Sequence, residues 1–325
     1  MTPGPGQPGE SRYPRDFDPA MAAILETQRA HALREGPAPD RYTLPFADAR
    51  ALLIEERRRS HTGLPAMHEI VEESLRVEGR TVGLRWYRPT ARADASLIVY
   101  LHGGGWCVGS NDTHDTVLRH LAAASGMPVC GVEYSLAPEH PFPAATRDVR
   151  AVVDLMLMEI RRRGGRLVLA GDSAGANLAL VEAMRRRDDG ASRDLAALLL
   201  FYGVYAPMRE GGSVAAYGGG EFGLSARAQQ RYVEAYVSKG MNPHDPRIHP
   251  LLGRLDGLPS TWLLAAGLDM LLDDSIDLHR ALRAARVEAE LRLCPGVPHG
   301  FLNHANTLPA ARHCLVEASR FAAAA

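Results

Sequence analysis

Apolar positions fall at helical spacing early in the chain. Met21, Ile24, Leu25 and Ala32 lie on one face behind the Asp18-Pro19 start, and residues 46–59 repeat the style, so two helices precede the main body. Between 67 and 89 the period drops to two. Ile70, Leu75, Val77, Val82, Leu84 and Trp86 alternate among charged residues around Glu78-Gly79-Arg80, which predicts a β-hairpin. Strand-like apolar runs then follow at 96–101, 129–134, 166–170, 196–201, 261–266 and 288–293. Helix-like segments alternate with them at 116–125, 145–163, 174–187 and 274–285, and a last helix spans 309–324. Strands separated in this way by helices are covered on both faces, so the pattern predicts an α/β protein with a mostly parallel sheet.

Residues 205–259 break this rhythm. They hold Gly211-Gly212, Gly218-Gly219-Gly220 and one amphipathic segment at 226–237, which reads as a mobile lid inserted into the domain. Residues 1–14, rich in Pro and Gly, have neither the apolar core nor the basic head of an export signal and are expected to form a disordered tail. The longest apolar stretch, 195–204, falls short of the ~18 residues of a membrane span, so no membrane insertion is expected.

Composition narrows the partners. The 325 residues, 46% hydrophobic, suffice for a full core, and a net charge of -1 gives no general attraction to nucleic acid or an anionic membrane. The arginine runs at 57–59, 161–163 and 185–187 come late in helix-like segments, where cations suit the helix dipole. Cys107, Cys130, Cys294 and Cys314 show no metal-ligand spacing and read as reduced thiols of a cytoplasmic protein. His102, His114, His120 and His140 lack a two-on-one-face pattern beside a carboxylate, so no metal is expected.

The chemistry gathers around Gly171-Asp172-Ser173-Ala174-Gly175, which joins an apolar run to a helix. A serine on such a tight strand-to-helix turn is a nucleophile elbow, its flanking glycines avoiding collision with the neighbouring strand and helix. A serine hydroxyl needs a base and a carboxylate to orient that base. His299 follows the run at 288–293 and Asp269 the run at 261–266, both at carboxyl ends of strands, where open α/β sheets bind ligands. Asp273 is the alternative acid, set further along beside the next helix. Donors for an oxyanion are expected from Gly103 and Gly104 of His102-Gly103-Gly104-Gly105-Trp106 and from Ala174. Trp106, Phe142, Tyr217, Phe222 and Tyr232 are candidates for the substrate pocket.

These motifs, with Tyr134-Ser135-Leu136-Ala137-Pro138-Glu139-His140-Pro141-Phe142-Pro143-Ala144, Asp245-Pro246-Arg247, Gly267-Leu268-Asp269-Met270-Leu271-Leu272-Asp273 and Pro298-His299-Gly300-Phe301, resemble the hormone-sensitive-lipase branch of the α/β-hydrolases. The order Ser173, Asp269, His299 is also that fold's order. The resemblance, from about residue 82 to the C-terminus, implies an α/β-hydrolase fold with an eight-stranded, mostly parallel sheet. It implies a helical cap built from residues 15–66 and an insertion at about 205–245, on a catalytic domain of 67–325. It further implies hydrolysis of short acyl esters without a cofactor, with a small-molecule ester as partner and pairing of two copies through the last strand. Ala176, Ser135 and Met270 depart from the family's usual Gly, Arg and Pro, which bears on substrate range. Acyl transfer to an alcohol or amine would use the same groups, and a non-catalytic receptor would be expected to lose part of them.

Overall fold

The computed structural model describes residues 16–325 except 37, 38, 60, 92–94, 239 and 243; the tail expected at 1–14 lies outside them. The hairpin forms as the alternation predicts, from β1 (Glu69–Val77) and β2 (Arg80–Arg88), paired from Glu69 with Arg88 to Val77 with Arg80. Its two-residue turn places Glu78 and Gly79 at positive φ, the turn type that matches strand twist. Six further strands follow: β3 (Leu97–Leu101), β4 (Val129–Glu133), β5 (Leu167–Asp172), β6 (Leu195–Phe201), β7 (Ser260–Leu268) and β8 (Ala289–Pro298). They complete an eight-stranded sheet in the order β1-β2-β4-β3-β5-β6-β7-β8, antiparallel from β1 to β4 and parallel from there.

Successive side chains of a strand point to opposite faces, and here both faces are core. Val99 and Leu101 of β3 share one core layer with Val152 of α4 (Ala144–Arg163), Leu178 of α5 (Ala174–Asp188) and Leu278 of α8 (Leu272–Ala284). Ile98 and Tyr100 belong to the layer on the other side, with Met21 of α1 (Pro19–Glu35), Leu118 of α3 (Asn111–Ser125) and Leu315 of α9 (Pro309–Ala324). The arginine runs do close helices α2 (Phe46–Arg58), α4 and α5. All four cysteines are buried and free, and among the described residues no helix is long and apolar enough to cross a membrane.

Three elements differ from the expectation. Helix α3 starts at Asn111, not 116, because Ser110 and Thr113 form a reciprocal capping box ahead of a polar first turn that carries no apolar signal. Strand β8 runs on to Pro298, directly before His299. The glycine-rich segment contains a short helix, α6 (Gly212–Tyr217), beside the expected α7 (Ala226–Tyr236). Arg231 of α7 ties this insertion to the residues before α2. It donates to Tyr42 O at 2.7 Å and to Leu44 O, and its guanidinium lies 4.1 Å from the Phe46 ring centre.

Candidate active site

Strand β5 ends at Asp172 and α5 begins at Ala174, so Ser173 makes the whole turn, at φ 53° and ψ -120°. That left-handed conformation is costly for a side-chain-bearing residue and persists because its surroundings fix it. Ser173 N–H donates to Phe201 O at 2.8 Å. A Cβ on Gly175 would stand 1.9 Å from Leu101 O, and one on Gly171 2.5 Å from the Gly175 carbonyl carbon. Helix and neighbouring strand approach so closely that only glycine fits.

Ser173 Oγ lies 3.0 Å from His299 Nε2, and His299 Nδ1 lies 2.6 Å from Asp269 Oδ2. Asp269 also accepts the Leu271 N–H at 3.0 Å. A carboxylate only accepts, so neutral His299 carries its proton on Nδ1 and leaves Nε2 to accept from the serine hydroxyl. Burial acts to lower the His299 pKa, but the charge and hydrogen bond of Asp269, helped by the charge of Asp172, outweigh it and hold the pKa above its ordinary value. Asp273 instead accepts the Ser213 N–H at 2.9 Å in the first turn of α8, so Asp269 and not Asp273 is the carboxylate bonded to His299. Tyr202, at φ 36°, sets its ring edge-on to His299 at 5.1 Å. Nothing in the pattern singled it out, although its place after β6 matches that of Ser173 after β5.

The glycine loop requires a correction. Gly103 N–H donates to Asp172 Oδ1 at 2.8 Å, so it has no proton to spare for an oxyanion. The N–H groups of Gly104, Gly105 and Ala174 make no hydrogen bond among the described residues. Gly104 and Gly105 stand at φ 126° and 58°, and the Gly104 carbonyl closes the turn by accepting from Cys107 and Val108 N–H. Gly105 therefore replaces Gly103 among the donors the geometry offers.

Asp172, within the elbow motif, is the hub beneath this loop. It accepts from Tyr100 OH at 2.9 Å, and its oxygens lie 3.2 and 3.4 Å from His114 Nε2. Burial would raise its pKa, yet the charge of His114 and the bonds from His114, Tyr100 and Gly103 keep the carboxyl below its usual range. Above it, burial and the neighbouring His114 push the pKa of His102 down to about 3, so this imidazole is neutral. Tyr134 stacks on that ring at 4.3 Å and donates to His102 O at 2.7 Å. Arg50 of α2 fixes the far side, donating to Cys107 O at 2.7 Å and Ala137 O at 2.8 Å while pairing with Glu139.

The five pocket candidates separate by packing. Trp106 is fully buried, stacked on Tyr236 at 4.5 Å, and Phe142 meets the same ring edge-on; both are core under α7 and not pocket wall. Tyr232 is buried against Gly105, where a Cβ would meet its ring at 2.3 Å. Tyr217 and Phe222 are half-buried, edge-to-face at 5.6 Å, and a Cβ on the adjoining Gly223 would lie 3.9 Å from His299 O.

The family described as alpha/beta hydrolase fold matches residues 98–303. An acetyl esterase of Salmonella choleraesuis (strain SC-B67) is 34% identical over 245 residues, 74% of this chain and 75% of that one. An ester-hydrolase from the metagenome of Lake Arreo, solved with a bipyridine phosphonate derivative, superposes with a TM-score of 0.87 at 31% identity, covering 95% of this chain and 98% of that one. An esterase of Pyrobaculum calidifontis gives 0.84 at 28% identity, with the same coverage. The chain belongs to the α/β-hydrolase fold family, in its hormone-sensitive-lipase branch.

Proposed function

We propose that this protein is a serine carboxylesterase that hydrolyses short- to medium-chain acyl esters through an acyl-enzyme. The observation that carries the reading is the hydrogen-bonded line from Ser173 Oγ through His299 to the buried Asp269, at 3.0 and 2.6 Å, beside three backbone N–H groups without partners among the described residues. Ser173 Oγ attacks the ester carbonyl while His299 Nε2 takes its proton, and Asp269 stabilises the imidazolium. The oxyanion is held by the N–H groups of Gly104, Gly105 and Ala174, each worth about 3 kcal/mol in the transition state. His299 then protonates the leaving alcohol. It next deprotonates a water that attacks the acyl carbon, the oxyanion returns to the same donors, and collapse frees the acid and Ser173.

In this reading α1 and α2, with residues 205–245, form a cap over the catalytic domain of 67–325, and Tyr217 and Phe222 offer apolar surface to the substrate. The Arg231 bonds to Tyr42 and Leu44 support that grouping. Buried, unlinked thiols support a cytoplasmic setting. The names of the similar acetyl esterase and ester-hydrolase support the substrate class.

The test is hydrolysis of p-nitrophenyl esters from acetate to palmitate by the intact chain and by Ser173→Ala. The expected result is a short-chain optimum, with kcat falling by about a millionfold in the variant. No turnover by the intact chain, or equal turnover by the variant, overturns the proposal.

A further inference from the structure

The glycine loop is gripped from α2 by one side chain. Arg50 stands beside Ala49 and one turn before Leu53, the two buried residues of that helix, which share a core layer with Trp106, Cys107 and Val108. Its Nε donates to Cys107 O at 2.7 Å and its Nη2 to Ala137 O at 2.8 Å, while Nη1 and Nη2 meet the two oxygens of Glu139 at 3.0 and 2.6 Å. A planar guanidinium serves two carbonyls and a carboxylate at once because its donors form a rigid fork. Cys107 is fully buried, so the bond to its carbonyl is shielded from water.

Each carbonyl leads back to Gly104. Cys107 O and Val108 N–H belong to one planar peptide unit, and Val108 N–H donates to Gly104 O at 2.9 Å. Gly104 O in turn shares a unit with Gly105 N–H, which has no partner among the described residues. The second arm converges on the same atom. Ala137, held at its carbonyl by Arg50, donates its N–H to Trp106 O at 2.9 Å, and the unit of that carbonyl carries Cys107 N–H, which donates to Gly104 O at 3.1 Å. Across a trans peptide unit the carbonyl and N–H point in opposite directions, so the donors of the first arm all run one way, from the guanidinium to Gly105 N–H. Hydrogen bonds in such a chain polarise one another, and a positive charge at its head strengthens the donor at its tail.

We propose that Arg50 is a positioning residue for the acyl-transfer step, aiming and polarising the Gly105 N–H through two hydrogen-bonded peptide units. The proposal rests on the ester-hydrolysis reading, in which that N–H holds the oxyanion. Gly105 stands at φ 58° and has no side chain to fix its direction, so the direction is set from behind, through Gly104 O. Since Arg50 belongs to α2, the seating of that helix reaches the donor by the same route.

The test compares the intact chain with Arg50→Met, which keeps an unbranched apolar stem and loses the fork, on p-nitrophenyl acetate. A fall in kcat of about ten- to a hundredfold is expected, with KM and the acid limb of the pH profile unmoved, because the donor acts on the oxyanion and His299 is untouched. In a Gly104→Ala background, where the second peptide unit is already displaced, Arg50→Met should lower kcat by less than about twofold more. Arg50→Lys keeps the charge without the fork, and its kcat should lie between those of the intact chain and Arg50→Met. Hydrogen exchange at the Cys107 and Val108 amides reads the clasp without turnover and should quicken by about tenfold or more in Arg50→Met. An unchanged kcat, the same fall in both backgrounds, or unchanged exchange overturns the proposal. An intact chain without turnover defeats the ester-hydrolysis reading, and exchange still decides whether Arg50 holds the loop.

Discussion

The elbow at Gly171–Gly175 and the loop at His102–Val108 are both glycine-rich and face each other across the ends of β3 and β5, yet they need glycine for different reasons. In the elbow the limit is space: Gly175 has an ordinary helical backbone, but a Cβ would strike Leu101 O at 1.9 Å. In the loop the backbone conformation matters as well, since Gly104 and Gly105 stand at positive φ and turn their N–H groups away from protein partners. One region brings the Ser173 side chain, the nucleophile of the proposed mechanism, to a fixed point. The other supplies backbone dipoles, which carry no side-chain signature at all. A glycine is therefore poor evidence of a role until its N–H has been followed to its partner, and Gly103, bonded to Asp172, shows this.

The largest effect should come from the elbow. Gly175→Ala forces a methyl into backbone that cannot step aside, and is expected to cost about 4 kcal/mol or more, read as a fall in the urea midpoint or as insoluble chain. Next is Asp269→Asn. Its kcat should fall by about ten-thousandfold, because an amide favours the wrong His299 tautomer. The pH profile then separates charge from dipole. Activity needs neutral His299, so it rises with pH through the His299 pKa, which Asp269 holds above its ordinary value; in Asp269→Asn the residual acid limb should move to lower pH. An acid limb that stays in place would remove Asp269 from its role.

The same contrast explains what could be read in advance. The six strands β3 to β8 and the places of Ser173, Asp269 and His299 at strand ends followed from apolar runs and the turns after them, because a parallel sheet buries whole strands and leaves loops at their ends. What escaped depended on partners distant in sequence. The bond from Gly103 to Asp172 spans 69 residues, and the Trp106–Tyr236 stack joins the loop to a helix far along the chain. No local period reports such contacts. The start of α3 escaped for the opposite reason, since its capping box is local but polar.

Smaller effects test the loop. Gly104→Ala would place Cβ 2.1 Å from Val108 O at φ 126°, displacing a donor, and kcat should fall by about a hundred- to a thousandfold with the acid limb of the pH profile unmoved. A shifted limb would mean that the substitution had reached His299. Gly105→Ala meets a side chain instead: its Cβ would lie 2.3 Å from the Tyr232 ring, at φ 58°. A ring can be removed where a backbone carbonyl cannot. Tyr232→Ala added to Gly105→Ala should therefore recover about tenfold of the lost kcat, the remaining deficit being the ~1–2 kcal/mol of left-handed strain. Added to Gly104→Ala, where the obstacle is Val108 O, the same substitution should recover nothing. Equal recovery in both backgrounds would show that Tyr232 acts on the loop as a whole, and the distinction between a glycine held against backbone and one held against a side chain would fail there.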